Sequence, residues 1–106
     1  MKIYIAGPYT RGDVAENVHN AIMAAEEIVK LGHIPYIPHL THFWHLMAQH
    51  DIDFWYEYDL VWLTFCDALV RLPGDSHGAD EEVETAESLG KPIFTMETLP
   101  KGGDAV

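Results

Sequence analysis

Four short β-prone runs alternate along this chain with longer segments of helical period, and Gly, Pro or a polar cluster marks almost every boundary. The runs are Lys2–Ala6 (KIYIA), His33–Pro38 (HIPYIP), Asp67–Leu72 (DALVRL) and Lys91–Met96 (KPIFTM). After Gly7-Pro8 stops the first run, Asp13 is an N-cap candidate. The helix it opens carries Val14, Val18, Ala21, Ile22, Ala25, Ile28, Val29 and Leu31 at helical spacing and ends at Gly32. Prolines interrupt His33–Pro38, which places that strand near an edge. Leu40–His50 reads either as a loop or as a broken helix. Asp51–Phe65 is helical, with aromatics at Phe54, Trp55, Tyr58 and Trp62. Ala79–Leu89 is an acidic helix closed by Gly90 as its C′ residue.

The order β-α-β-α-β-α-β requires long crossovers, and these join parallel strands in the right-handed sense. The expected fold is therefore a three-layer α/β, flavodoxin/Rossmann-like parallel sheet of about four to five strands with helices on both faces. One domain is expected over residues 1–99, with a flexible tail over 100–106. In such sheets ligands bind outside the carboxyl ends of the strands. That rule selects Gly7–Asp13, Pro38–His45 and Pro73–Glu82, all rich in polar residues or glycine.

Composition narrows the partners. A chain of 106 residues that is 48% hydrophobic supports one modest core. With 6 basic against 17 acidic residues its formal charge is −11, a field that repels a nucleic-acid polymer. One small anion is still admissible, because a few backbone N–H groups and an Arg can hold it locally. No apolar run is long enough to span a bilayer, so no membrane partner is expected. No charged lead precedes an apolar stretch at the N-terminus, so no signal peptide is expected. Cys66 is the single cysteine, which excludes an internal disulfide and fits a reducing, cytoplasmic setting.

Several residues in the selected loops can carry chemistry. The turn Gly7-Pro8-Tyr9-Thr10-Arg11-Gly12 leads from a strand towards a helix N-terminus, where amides and Arg11 can meet a sugar hydroxyl or a phosphate. It is equally an ordinary strand-to-helix turn. Ser76 and Gly78 sit where the acidic helix begins, and Glu82 falls in its first turn, able to face the cleft. Alternatively Asp80, Glu81 and Glu82 only complement the helix dipole. Asp59 lies among Trp55, Tyr58 and Trp62, a setting that raises a carboxyl pKa if dry and suits a proton donor; an exposed helix position is the competing reading. Asp67 reads as structural, tying down a strand entry. His39, His42 and His45 recur every three residues near His50, Asp51 and Asp53, a composition compatible with a metal. That spacing does not keep three rings on one helical face, so no metal is assigned, and His39 is taken as the ring that touches ligand. Cys66 reads as core.

Taken together, four stretches resemble the nucleoside 2-deoxyribosyltransferase superfamily, which includes 2′-deoxynucleoside 5′-monophosphate N-hydrolase-like proteins. They are Ile3-Tyr4-Ile5-Ala6-Gly7-Pro8-Tyr9, Asp59-Leu60-x-x-Leu63-x-x-x-Asp67, Ser76-x-Gly78-x-x-x-Glu82-x-x-x-Ala86 and Gly90-Lys91-Pro92. The resemblance implies cleavage of the N-glycosidic bond of a nucleoside or nucleotide through a covalent glycosyl–Glu82 intermediate, by hydrolysis or transfer to another base, with no cofactor. It implies that Tyr4 orients Glu82, that Asp59 assists protonation of the departing base, and that Gly7 lines the sugar pocket. Ser76 and Gly78 would meet the 5′ end of the substrate. Tyr9, Phe43 and Trp44 would hold the base by stacking. Relatives often complete the site with a neighbouring subunit, so a homodimer or higher homo-oligomer is implied. Asp80, Glu81 and Glu84 depart from the family pattern and, if they crowd Glu82, raise its pKa. Two other functions compete: a nucleotide-binding module that has lost catalysis, and a metal-dependent hydrolase built on His39, His42 and His45.

Overall fold

The alternation of side chains along β1 (Lys2–Ala6) organises the molecule. Residues Ile3–Ala6 are buried on both faces of the strand, which marks a central strand of a parallel sheet. The computed structural model describes residues 1–102. After β1 come α1 (Val14–Lys30), β2 (Ile34–Tyr36), a 3-10 turn (Pro38–Thr41), α2 (His42–Met47), α3 (Ile52–Phe65), β3 (Ala68–Arg71), α4 (His77–Ser88) and β4 (Ile93–Phe94). The sheet order is β2-β1-β3-β4 and every pair is parallel. This is the expected three-layer architecture, with four strands.

Odd and even residues of β1 feed different layers. Ile3 and Ile5, with Ala68 and Val70 of β3, pack against Ala21, Ala24, Ala25 and Ile28 of α1. Tyr4 and Ala6, with Leu69, face Leu63 of α3 and Ala79 and Ala86 of α4, with Cys66 beside them. The register Ile3↔Ala68, Tyr4↔Leu69, Ile5↔Val70, Ala6↔Arg71 keeps the two faces aligned across the sheet centre. The chain adds β2 on one side of β1 and then β3 and β4 on the other, so the strand order reverses at the β1/β3 pair and a crevice opens at their carboxyl ends.

Three differences from the sequence reading have local causes. Strand β2 is shorter than His33–Pro38 because the His33 N–H bonds back to Ile28 C=O and Pro38 opens the 3-10 turn; Pro35, inside the strand, is tolerated because β2 lies at the sheet edge. Strand β4 is two residues long because Thr95 N–H turns away to the Thr98 hydroxyl at 2.8 Å. Helix α4 starts at His77 rather than Ala79, because the Ser76 hydroxyl caps it by accepting from Ala79 N–H at 3.1 Å. Leu40–His50, open between loop and broken helix, resolves into the end of the 3-10 turn and the short α2. Asp13 and Asp51 cap α1 and α3. Asp67 accepts from Lys2 N–H at 2.8 Å and joins the entries of β1 and β3. Of the tail, Pro100 C=O lies 2.7 Å from His33 Nε2 and Gly102 N–H donates to Leu31 C=O. Residues 103–106 lie outside the described residues.

Gly90 closes α4 with φ +73°, its N–H bonded to Glu87 C=O and that of Lys91 to Ala86 C=O. Gly74, at φ +114°, also lies so close to Pro8 that an added Cβ would stand 2.7 Å from the ring. Gly90→Ala meets open space and is expected to cost only the left-handed backbone penalty, about 1–2 kcal/mol. Gly74→Ala adds a collision and is expected to cost more. Urea unfolding midpoints at constant slope check the order; equal costs would mean that the two loops separate freely.

Candidate active site

The even face of β1 carries Tyr4 into the layer under α3 and α4, and its side chain is fully buried. A buried phenol requires a partner, and Tyr4 Oη donates to Glu82 Oε2. Glu82 lies in the second turn of α4, one turn later than the sequence reading because the helix begins earlier. Its side chain points inward rather than into bulk solvent, and the residue is half-buried. Asp59, on the facing side of α3, is half-buried too, and its Oδ1 is shielded from solvent with no hydrogen-bond partner among the described residues. Tyr36 stacks on Tyr4 at 5.7 Å and on Trp62 at 5.4 Å, walling off the space beside Asp59.

The two carboxyls have unequal surroundings. Burial pushes both up to about 7. For Glu82 the Tyr4 hydroxyl and the charge of Arg71 work against burial and favour the ionised form. Asp59 has no donor, and the negative charge of Glu82 raises it further. The pair therefore titrates together near neutrality, with Tyr4 and Arg71 biasing the ionised form towards Glu82. Burial, then the charges of Glu82 and Asp59, push the Tyr4 phenol well above its ordinary value, so it stays a donor.

The loop residues fall into place differently. His39 is buried, with Nε2 at 3.0 Å from Pro8 C=O. A carbonyl only accepts, so Nε2 carries the proton, and burial lowers the pKa of the ring. His39 thus braces the turn after β1. Tyr9 pairs through its hydroxyl with His42 Nδ1, and His45 Nδ1 accepts from the Trp55 indole at 2.8 Å. The three histidines engage three separate partners. Among the described residues no group of three or more His, Cys, Asp or Glu side chains has metal-holding geometry. Trp44 meets Trp55 and Tyr58 edge-on at 5.0 and 5.6 Å, while Phe43 is exposed. Arg11 forms an exposed ion pair with Asp75 at 3.2 Å, bridging the loops after β1 and β3. Gly7 packs tightly on Leu72, whereas the space over Gly78 is open. Cys66 is buried in the α3/α4 layer, and burial pushes its thiol up.

Sequence reasoning missed Arg71 and Tyr36. A single cation at the carboxyl end of the apolar run DALVRL was the available signal for Arg71. Tyr36 gave none, because its role depends on which strand lies beside β1. The acidic neighbours of Glu82 do not crowd it as one block. Asp80 pairs with Arg71 at 3.0 Å, Glu81 lies 2.5 Å from His77, and Glu84 is exposed.

The fold has a solved counterpart. A 2-deoxyribosyltransferase from the psychrotolerant bacterium Bacillus psychrosaccharolyticus superposes with a TM-score of 0.65 over 90% of this chain and 71% of that chain, at 22% identity. At that identity the likeness establishes a common fold. No curated protein sequence matches. A family model described as a domain of unknown function, DUF7768, matches residues 1–96. The chain belongs to the DUF7768 family and has the fold of a 2-deoxyribosyltransferase.

Proposed function

We propose that this chain cleaves the N-glycosidic bond of a nucleoside or its 5′-monophosphate, with Glu82 as nucleophile and Asp59 as the proton donor to the departing base. The observation that carries the reading is the unequal pair of half-buried carboxyls, one held by Tyr4 and the other without a donor. Two carboxyls that titrate near neutrality, with donors favouring the ionised form at only one of them, are suited to opposite roles at one bond. A further support is cost: a buried polar atom without a partner is destabilising, and such sites concentrate where chemistry needs them. The 2-deoxyribosyltransferase of like fold supports a sugar-transfer class of reaction.

The steps follow from the pair. Tyr4 occupies Oε2, which leaves Oε1 of Glu82 to attack C1′ of the sugar. The C1′–N bond breaks as the C1′–O bond forms, and the base leaves with the Asp59 proton. Positive charge builds on the sugar during this step and the Glu82 carboxylate stabilises it. Asp59, now ionised, accepts a proton from water or from a second base, which attacks C1′ and releases Glu82. Tyr9 and the Trp44–Trp55–Tyr58 cluster supply flat surfaces for a base, and the turn Gly7–Pro8 with Ser76 and Gly78 receives the sugar and its 5′ end. His39 acts here by bracing Pro8, and Arg11 by meeting an anionic substrate in place of Asp75. A second copy of the chain is the proposed cover for the apolar row Phe43, Leu46, Met47 and Ile52, which are 72%, 57%, 88% and 81% exposed.

Three outcomes test this reading. Incubation with common nucleosides and monophosphates is expected to release free base, and Glu82→Ala is expected to lower turnover by a factor on the order of 10³ or more. A sugar adduct trapped on the protein should map to Glu82 by mass spectrometry. Saturable binding with no turnover by the native protein would instead indicate a binding module. For Asp59, kcat/KM should follow a bell centred near pH 7, rising as Glu82 ionises and falling as Asp59 ionises, with both limbs belonging to the coupled pair. Linkage gives the same pair a second signature. Their folded-state pKa values lie above the unfolded ones, so the folded state holds extra protons and stability falls as pH rises towards 7. Asp59→Asn is expected to stabilise the fold at pH 8 by about 1–3 kcal/mol, with the gain vanishing near pH 4. No change at either pH would mean that the carboxyl is solvated. For the oligomer, sedimentation of Met47→Glu is expected to show a smaller species than the native chain.

A further inference from the structure

Arg71 stands where the period of β3 meets the site. Leu69 points into the α3/α4 layer, and Arg71, two residues on and paired with Ala6, shares that face. Its side chain is only 19% exposed. The guanidinium donates to Leu72 C=O, to Gly74 C=O at 3.0 Å and to Asp80 Oδ1 at 3.0 Å. The loop Leu72–Gly74 therefore wraps around one planar cation, which also holds the first turn of α4. We infer that Arg71 is the positioning residue for Glu82: its guanidinium fixes the loop and the first turn of α4 that lead directly into this carboxylate's turn, and places a cation on the same face. The inference rests on the proposed reading of Glu82 as nucleophile, but its primary test needs no turnover.

The chemistry favours arginine here. Three acceptors in different directions match a guanidinium fork, whereas an ammonium is a point charge that cannot span them with the same geometry. Asp80 takes part of the charge, leaving a balance between Arg71 and Asp80 that sets the field at Glu82. The other groups facing Glu82 are Tyr4 from β1, Tyr36 from β2, Tyr56 and Asp59 from α3, and Glu81 on α4 itself. None of these is a cation.

The test is titration of the Glu82 side-chain carboxyl by NMR in the full chain, with Arg71→Gln and Asp80→Asn compared against the native protein. Arg71→Gln removes the cation and is expected to move the titration to higher pH by about half a unit or more. Asp80→Asn removes the competing carboxylate and is expected to move it to lower pH. Opposite shifts are a signature that loosened packing does not produce. Arg71→Lys restores charge without the fork, so the titration should recover in part relative to Arg71→Gln. If Arg71→Gln fails to fold, Asp80→Asn and Arg71→Lys still decide the sign. Unchanged titration in the folded variants, or shifts of one sign in both, overturns the inference. Absence of turnover in the native protein with these shifts intact overturns only the reading of Glu82 as nucleophile.

Discussion

Parallel pairing of β1 with β3 is the constraint on which the molecule depends. Once Ile3 and Ile5 are committed to the layer of α1, period-two alternation sends Tyr4 and Ala6 to the other side, and register sends Leu69 and Arg71 with them. A slip by one residue would exchange the faces, putting a phenol and a guanidinium among the alanines of α1. The apolar face supplies the driving force, since burying an isoleucine side chain is worth about 1.5–3 kcal/mol. The polar face inherits its position from the same register and carries a desolvation cost that the apolar face offsets. Tyr4 then reaches Glu82 because α4 returns over the same face after β3.

Electrostatics makes the two carboxyls of that placement unequal. Both carboxyls lose hydration, and that alone would keep both protonated. Glu82 recovers part of the loss from a donor on β1 and a cation on β3, whereas Asp59 recovers none among the described residues. The asymmetry is self-reinforcing, because an ionised Glu82 makes ionisation of Asp59 harder. Reversing this bias would require a donor at Asp59 and the loss of the Tyr4 bond to Glu82.

The sequence disclosed the layers and their order well, because hydrophobic period survives in single elements such as Val14–Lys30 and Lys2–Ala6. Strand ends were less legible. The His33 N–H bond to Ile28 C=O and the Thr95–Thr98 turn shorten β2 and β4 through backbone donors, which a β-prone composition does not register. Ser76 was legible as a residue at a helix start, but the helix was set two residues late, which displaced Glu82 by a turn. For the site, Tyr4, Asp59 and Glu82 were singled out by motif and by chemistry, and the fold brings them together. His39 was read as a ligand contact, and the fold gives it a bracing bond to Pro8. Spacing could not reveal this, because the partner lies 31 residues away.

The acidic helix shows why net charge is a poor guide to a single carboxylate. A formal charge of −11 spread over the surface is screened over about 8 Å at physiological ionic strength. A group inside the protein responds instead to what lies within a few ångströms. At Glu82 those near neighbours include a phenol donor and the field of a guanidinium. Asp80 spends its charge on Arg71, so it does not act on Glu82 as a bare anion while that pair holds, whereas the charge of Glu81 adds to burial in raising Glu82. Asp80 therefore has two effects: it lies in the first turn of α4, where an anion suits the helix dipole, and it takes up part of the Arg71 charge.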